Sequence, residues 1–107
     1  MGTEYRIIVP ASGHEVLDGR AIRNLKSFWK YDDLYGNYYL GKIEGSDWPE
    51  LFIWFKDHSI GVTVNGGDGP GWTEFRDFVK AIKVQLGDLQ IVSWDSGEDL
   101  SNEFLNN

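Results

Sequence analysis

The sequence contains no cysteine. That absence excludes disulfides, thiolate metal sites and cysteine nucleophiles, and leaves the fold to rest on its core alone. The 107 residues form one domain, 1–107, and a chain of this size buries roughly two-thirds of its unfolded surface without staples. Long apolar runs are missing as well. No segment is long enough to span a bilayer, and the opening MGTEYRIIVP has no basic region followed by an apolar run, so it does not read as a signal peptide. The expectation is a cytoplasmic protein with no membrane partner.

Histidine is scarce: His14 and His58 are the two in the chain. His14 falls in a loop beside Glu15. Asp57 directly precedes His58, but neighbours on a strand point to opposite sides, and in a turn both are solvated. Neither histidine has the nucleophile and orienting group that a general base needs. Basic residues are outnumbered, with ten Lys and Arg against 17 Asp and Glu and a formal net charge of -7. Affinity for phosphate backbones comes largely from Lys and Arg, so nucleic acid ranks low as a partner. A basic protein surface suits the balance better.

Aromatic residues, in contrast, are abundant: five Trp, five Tyr and six Phe. Some of these rings are left over once a core of this size is filled, and they are candidates for an exposed interaction patch. The best-defined stretch is Ser59 to Leu86. Ile60, Val62 and Val64 alternate as on a strand. A glycine-rich loop, Asn65 to Gly71, follows. Phe75, Phe78, Val79, Ile82 and Leu86 then make one apolar stripe at helical period, with Gly87 as the C-terminal stop.

The rest of the chain reads around that unit. Glu4 to Val9 is a short strand ended by Pro10. Val16 to Tyr31 reads as a helix with Leu17, Ala21, Leu25, Phe28 and Trp29 on its apolar face, and with Asp18 as N-cap once Gly19 weakens the first turn. Tyr38 to Glu44, Glu50 to Lys56 and Ser59 to Val64 read as a three-strand meander. Leu89 to Trp94 is a last strand, and Leu100 and Phe104 mark a short final helix. The fold class expected is α+β: a two-layer sandwich with a mostly antiparallel sheet of about five strands, order β-α-β-β-β-α-β. Two helices lie on one face and a short helix closes the chain. It looks like a ferredoxin-like arrangement with an added strand.

No catalytic, metal or cofactor motif stands out, so the chain reads as a non-enzyme without cofactor. Carboxylate pairs such as Glu44, Asp47 and Glu50 would suit glycoside hydrolysis only on a sugar-sized cleft, which a domain of this size rarely offers. On the meander, Leu51, Ile53 and Phe55 face one way and Phe52 and Trp54 the other. Tyr39 and Trp94 are candidates to join Phe52 and Trp54, unless Leu100 and Phe104 fold back to cover them. The leading reading is a protein-binding module, a small acidic inhibitor or immunity-type protein that docks acidic loops and aromatic anchors onto a basic partner. Its candidate residues are Asp47, Trp48, Glu50 and Trp54, with Asp95, Glu98 and Asp99 as a second patch. A homodimer through the Phe52–Trp54 face is a further candidate.

Two other readings compete. One is a small-molecule or nucleotide site, with or without enzyme activity, on the loop of Gly66, Gly67, Asp68 and Gly69 at a helix start. That loop lacks the Lys and Ser/Thr of a phosphate-binding motif, and Asp68 puts a negative charge where the phosphate would sit. The other is nucleic-acid contact through basic helix faces, because Arg20, Arg23, Lys26, Lys30, Arg76, Lys80 and Lys83, seven of the ten basic residues, fall in the two expected helices.

Overall fold

The computed structural model describes residues 3–10, 18–56, 59–66, 69–87 and 89–106. The elements among them run β1 (Thr3–Ile8), α1 (Gly19–Arg23), β2 (Phe28–Asp32), β3 (Asn37–Leu40), β4 (Leu51–Lys56), β5 (Ser59–Val64), α2 (Pro70–Leu86), β6 (Gln90–Ser93) and α3 (Ser101–Asn106). The class is α+β, as expected. The sheet has six strands rather than five, in the order β2-β3-β4-β5-β1-β6, with every pair of neighbours antiparallel.

The extra strand comes from the stretch read as a helix over 16–31. Asp18 does cap α1, its carboxylate accepting the Ala21 N–H at 3.0 Å, but the helix ends at Arg23. The residues after it leave the helix because their backbone has better partners. The Glu74 carboxylate of α2 accepts the N–H groups of Lys26 and Ser27, both at 2.8 Å. Beyond that point Phe28 to Asp32 pairs with Asn37 to Leu40 as a hairpin. Aromatic residues suit a pleated, half-buried surface better than a helix. A helical reading of Phe28 and Trp29 on one face was therefore a coincidence of spacing.

Alternation sorts each strand into two faces. Tyr5 and Ile7, Leu40, Leu51 and Ile53, Ile60 and Val62, and Ile91 all enter the buried core. So do Ile22 of α1, Trp72, Phe75, Val79 and Ile82 of α2, and Phe104 of α3. All the buried helix residues thus meet the same face of the sheet. The apolar stripe predicted for α2 is the one that packs, with Phe78 and Leu86 at its margin. Gly87 closes the helix at φ 83, donating its N–H to Lys83 O.

Phe104 settles a question the sequence left open. It is fully buried and meets Tyr5, Trp72 and Phe75 edge-on at ring distances of 5.1, 5.0 and 6.2 Å. Arg76 fixes the end of α3 by donating from Nε to Phe104 O at 2.8 Å. The C-terminal helix therefore packs on the core face, and Leu100 with it; neither covers Phe52 and Trp54. The Asp57-His58 turn, His14 and residues 67–68 lie outside the described residues.

Candidate functional site

The register fixes what the second sheet face carries. Lys30, Tyr39, Phe52, Thr63 and Glu4 stand opposite one another across β2, β3, β4, β5 and β1. The next row holds Trp54, Gly61, Arg6 and Val92. A register shift between Phe28 and Lys30, with one residue of β2 left unpaired, brings Trp29 to the side of Tyr39. The two rings meet edge to face at 5.7 Å. Tyr39 meets Phe52 at 5.0 Å, and Phe52 meets Trp48 at 5.6 Å. On the other half of the face Trp54 meets Trp94 at 5.2 Å. Four of the five tryptophans thus lie on this face, Trp72 alone being in the core.

Gly61 is what lets the Trp54 ring reach Trp94. A Cβ at Gly61 would overlap the Trp54 indole, so the ring lies flat across β5 where any other residue would block it. Cations accompany the rings. The Lys30 ammonium is 4.9 Å from the centres of both Trp29 and Tyr39, and Lys42 is 5.6 Å from Trp29. Arg6 lies 5.6 Å from Trp94 and donates from Nε to Ser59 Oγ at 3.1 Å. Desolvation, then the neighbouring Asp32 carboxylate, pushes the Tyr39 phenol above its usual range. The phenol stays protonated and donates to Asp32 at 3.4 Å.

The structure distributes the candidate residues of the leading reading unevenly. Trp48 is 57% exposed, and Asp47 beside it is exposed. The Trp48 N–H donates to Ser46 Oγ at 3.1 Å, which sets the loop. Trp54 is half-buried, and Asp95 and Glu98 are exposed in the turn after β6. The register puts the start of β4, the end of β5, the start of β1 and the end of β6 at one end of the sheet. Asp47-Trp48 and Trp94-Asp95 therefore share that end, one pair at each flank. Asp99 is exposed but structurally engaged. It bridges to Val92 and accepts the Ser101 N–H at 2.9 Å, a bond that holds its carboxyl below the usual range.

Glu50 does not belong with these residues. It is 5% exposed, and its Oε2 accepts the Trp72 N–H at 3.0 Å. The N-cap of α2 is Gly69, which has no side chain to cap with. Glu50, the residue just before β4, supplies the missing acceptor, and a negative charge there also meets the positive end of the helix dipole. A Cβ at Gly69 or Gly71 would collide with this carboxylate, which explains those two glycines without a ligand. Gly66 and Gly69 line a cleft of about 450 Å³ together with Lys42, Glu44 and Glu50. Its helix start already holds one carboxylate, so a phosphate there would meet a negative charge. Gly67 and Asp68 are among the residues outside the description.

The basic helix faces are broken in part: Lys26 lies beyond the end of α1, while Arg20, Lys80 and Lys83 stay helical. Lys30 belongs to a strand. Arg23 lies over Phe28, Tyr31 and Tyr38, at 5.6, 5.1 and 5.5 Å, and Arg76 is held by the carbonyls of α3 and by the Trp72 ring.

Residue-level reading missed Trp29, Lys30 and Lys42 as members of the aromatic face, and missed Leu34 and Tyr35. The latter two stand 81% and 73% exposed in the β2–β3 turn. The available signal was the aromatic density on both sides of Asp33-Leu34-Tyr35-Gly36, which reads as a hairpin once the helical spacing is set aside. Among the described residues no helix is long and apolar enough to cross a membrane. Compared with protein-family models, with curated proteins and with solved structures, the chain matches none.

Proposed function

We propose that this chain is a non-enzymatic protein-binding module, of the physical type of small acidic inhibitors and immunity proteins. It docks the acid-flanked end of its aromatic face onto a basic partner surface. The observation that carries this reading is Trp48, 57% exposed, at the end of a continuous row of rings with Asp47 beside it. An exposed Trp on a preorganised platform is the usual form of an interface anchor, because it buries a large area at little entropic cost. Asp47 at one flank and Asp95 and Glu98 at the other favour a basic partner and speed its approach. Glu50 has no part in docking; it holds α2 in place beneath that loop. A cytoplasmic location goes with a composition free of cysteine.

The finer fold reading, a two-layer ferredoxin-like sandwich with a hairpin added at one edge, is part of the same proposal. It is supported by the order β4-β5-β1-β6, in which the β5–α2–β6 crossover spans β1, and by the packing of all buried helix residues on one face. The small-ligand reading on the glycine loop is disfavoured by the Glu50 carboxylate, which occupies the place an anion would take.

Affinity capture from host lysate, eluted in rising salt, tests the docking reading with three baits: wild type, Trp48→Ala and Asp47→Lys. The expected result is one basic protein at near-equal stoichiometry, released by salt and absent from the Trp48→Ala bait. That bait should melt within about 2–4 °C of wild type, since truncating a largely exposed side chain costs at most about 0.5 kcal/mol. A Trp48→Ala variant that unfolds, or that retains the same protein, refutes the assignment.

A further inference from the structure

The net charge of the chain misrepresents the charge of its aromatic face. Arg6, Lys30 and Lys56 project from that face by register, and Lys42 joins them over the Trp29 ring. Against these stand Glu4, Asp32, which is in contact with the Tyr39 hydroxyl, and Asp99, which is bridged to Val92 at the β6 edge. Cations thus outnumber acids four to three here, on a chain whose total is -7. The surplus acid lies elsewhere, in the loops at the sheet ends and on the helices. The cations are also placed selectively, with Lys30, Lys42 and Arg6 each within 5.6 Å of a ring centre. Rings that offer stacking surface, with positive charge beside them and a flat sheet beneath, are the parts of a platform for single strands.

We propose that this face binds a short single strand of nucleic acid, with bases displacing the Lys30 and Lys42 side chains from the Trp29 and Tyr39 rings to stack there and on Phe52, and phosphates held by Arg6, Lys30 and Lys42. The argument from total charge against nucleic acid does not apply to a face whose own balance is positive. From β2 to β6 the platform crosses five inter-strand steps, about 24 Å at the usual spacing. That length takes a strand at the short end of known site sizes, about four nucleotides. Recognition is by stacking and charge, so the site tolerates sequence and prefers single strands to duplex, whose bases are already stacked. This inference does not rest on the docking reading, which uses the acid-flanked end and Trp48.

The test is fluorescence anisotropy of labelled oligo-dT and oligo-U of about twelve nucleotides, with a duplex of equal length as control. Micromolar affinity is expected at 50 mM salt. Three phosphate contacts at about −0.7 each predict a log–log salt slope near −2, which is an 18-fold loss between 50 and 200 mM. The Lys30→Ala/Lys42→Ala variant should bring the slope to about −0.7 and weaken binding at least tenfold at 50 mM salt. Trp29→Ala should weaken binding at least fivefold and leave the slope unchanged. Near-UV circular dichroism reports whether each variant keeps its ring packing. Three results overturn the proposal: no binding up to about 100 μM at 50 mM salt, equal binding of the duplex, or a salt slope that the double lysine variant leaves unchanged. Asp47→Lys, scored in the capture experiment, reports the docking reading separately.

Discussion

The Glu74 carboxylate offers a quantitative test of how β2 is held, and with β2 the side chains of Trp29 and Lys30. It accepts two backbone N–H groups, from Lys26 and Ser27, at 2.8 Å each. The Ser27 bond is partly buried and the Lys26 bond is exposed. Desolvation alone would raise the carboxyl pKa; the bonds from Ser27 and Lys26 outweigh it and hold the group below its ordinary value. Glu74→Gln keeps one acceptor oxygen and replaces the other with a donor, so one N–H loses its partner. For a charge-assisted bond, discounted because one of the two is exposed, the expected cost is about 1–3 kcal/mol. In a domain of this size that lowers the melting temperature by roughly 5–15 °C. The pH dependence carries the sign. A depressed folded pKa gives stability that is present above the unfolded value and is lost as pH falls through the folded value. Wild type and Glu74→Gln should therefore differ by a constant amount from about pH 6 to 8 and converge as pH falls below the ordinary Glu range and through the depressed folded value. Thermal melts across that range measure the gap, and hydrogen exchange should show the β2 amides opening first in the variant. Equal melting of the two proteins at neutral pH, or a gap that persists undiminished into acid, would refute the clamp.

Two further substitutions probe the two faces of the sheet. Gly61→Val should cost about 1–3 kcal/mol by overpacking and should abolish the near-UV signal of the Trp54–Trp94 pair, because a side chain there displaces the indole; an unchanged spectrum would show that Trp54 does not cross β5. Phe104→Ala, by removing a fully buried ring, should cost about 3–5 kcal/mol in chemical denaturation. A cost under 1 kcal/mol would mean that α3 does not pack on the core face.

Phe75, Phe78, Val79, Ile82 and Leu86 were legible as a packed stripe because helical period is written in the chain itself. The same holds for Leu51, Ile53 and Phe55 against Phe52 and Trp54, since alternation assigns strand faces without knowledge of the partners. The 16–31 segment was not legible, because its spacing satisfied a helix while the partners that overrode it were Glu74, 47 residues beyond Ser27, and the β3 strand, whose Tyr39 stands nine residues beyond its partner Lys30. Glu50 failed for the same reason. Asp47, Trp48 and Glu50 are close in sequence and look like one acidic loop. Yet Trp48 is exposed and Glu50 is buried under a helix that starts twenty residues later.

By itself, then, the sequence determined the class of the fold, the partition of strand residues between two faces and the surplus of rings over what one core can hold. These depend on local period and composition, which no neighbour can alter. The tertiary structure decided where the surplus rings and the charges meet. Strand order and register put Arg6 beside Trp94, brought Lys30 and Lys42 to Trp29 and sent Phe104 to the opposite face. A net charge is a sum over the whole surface, and only the placement of its parts can give one face a sign that the total lacks.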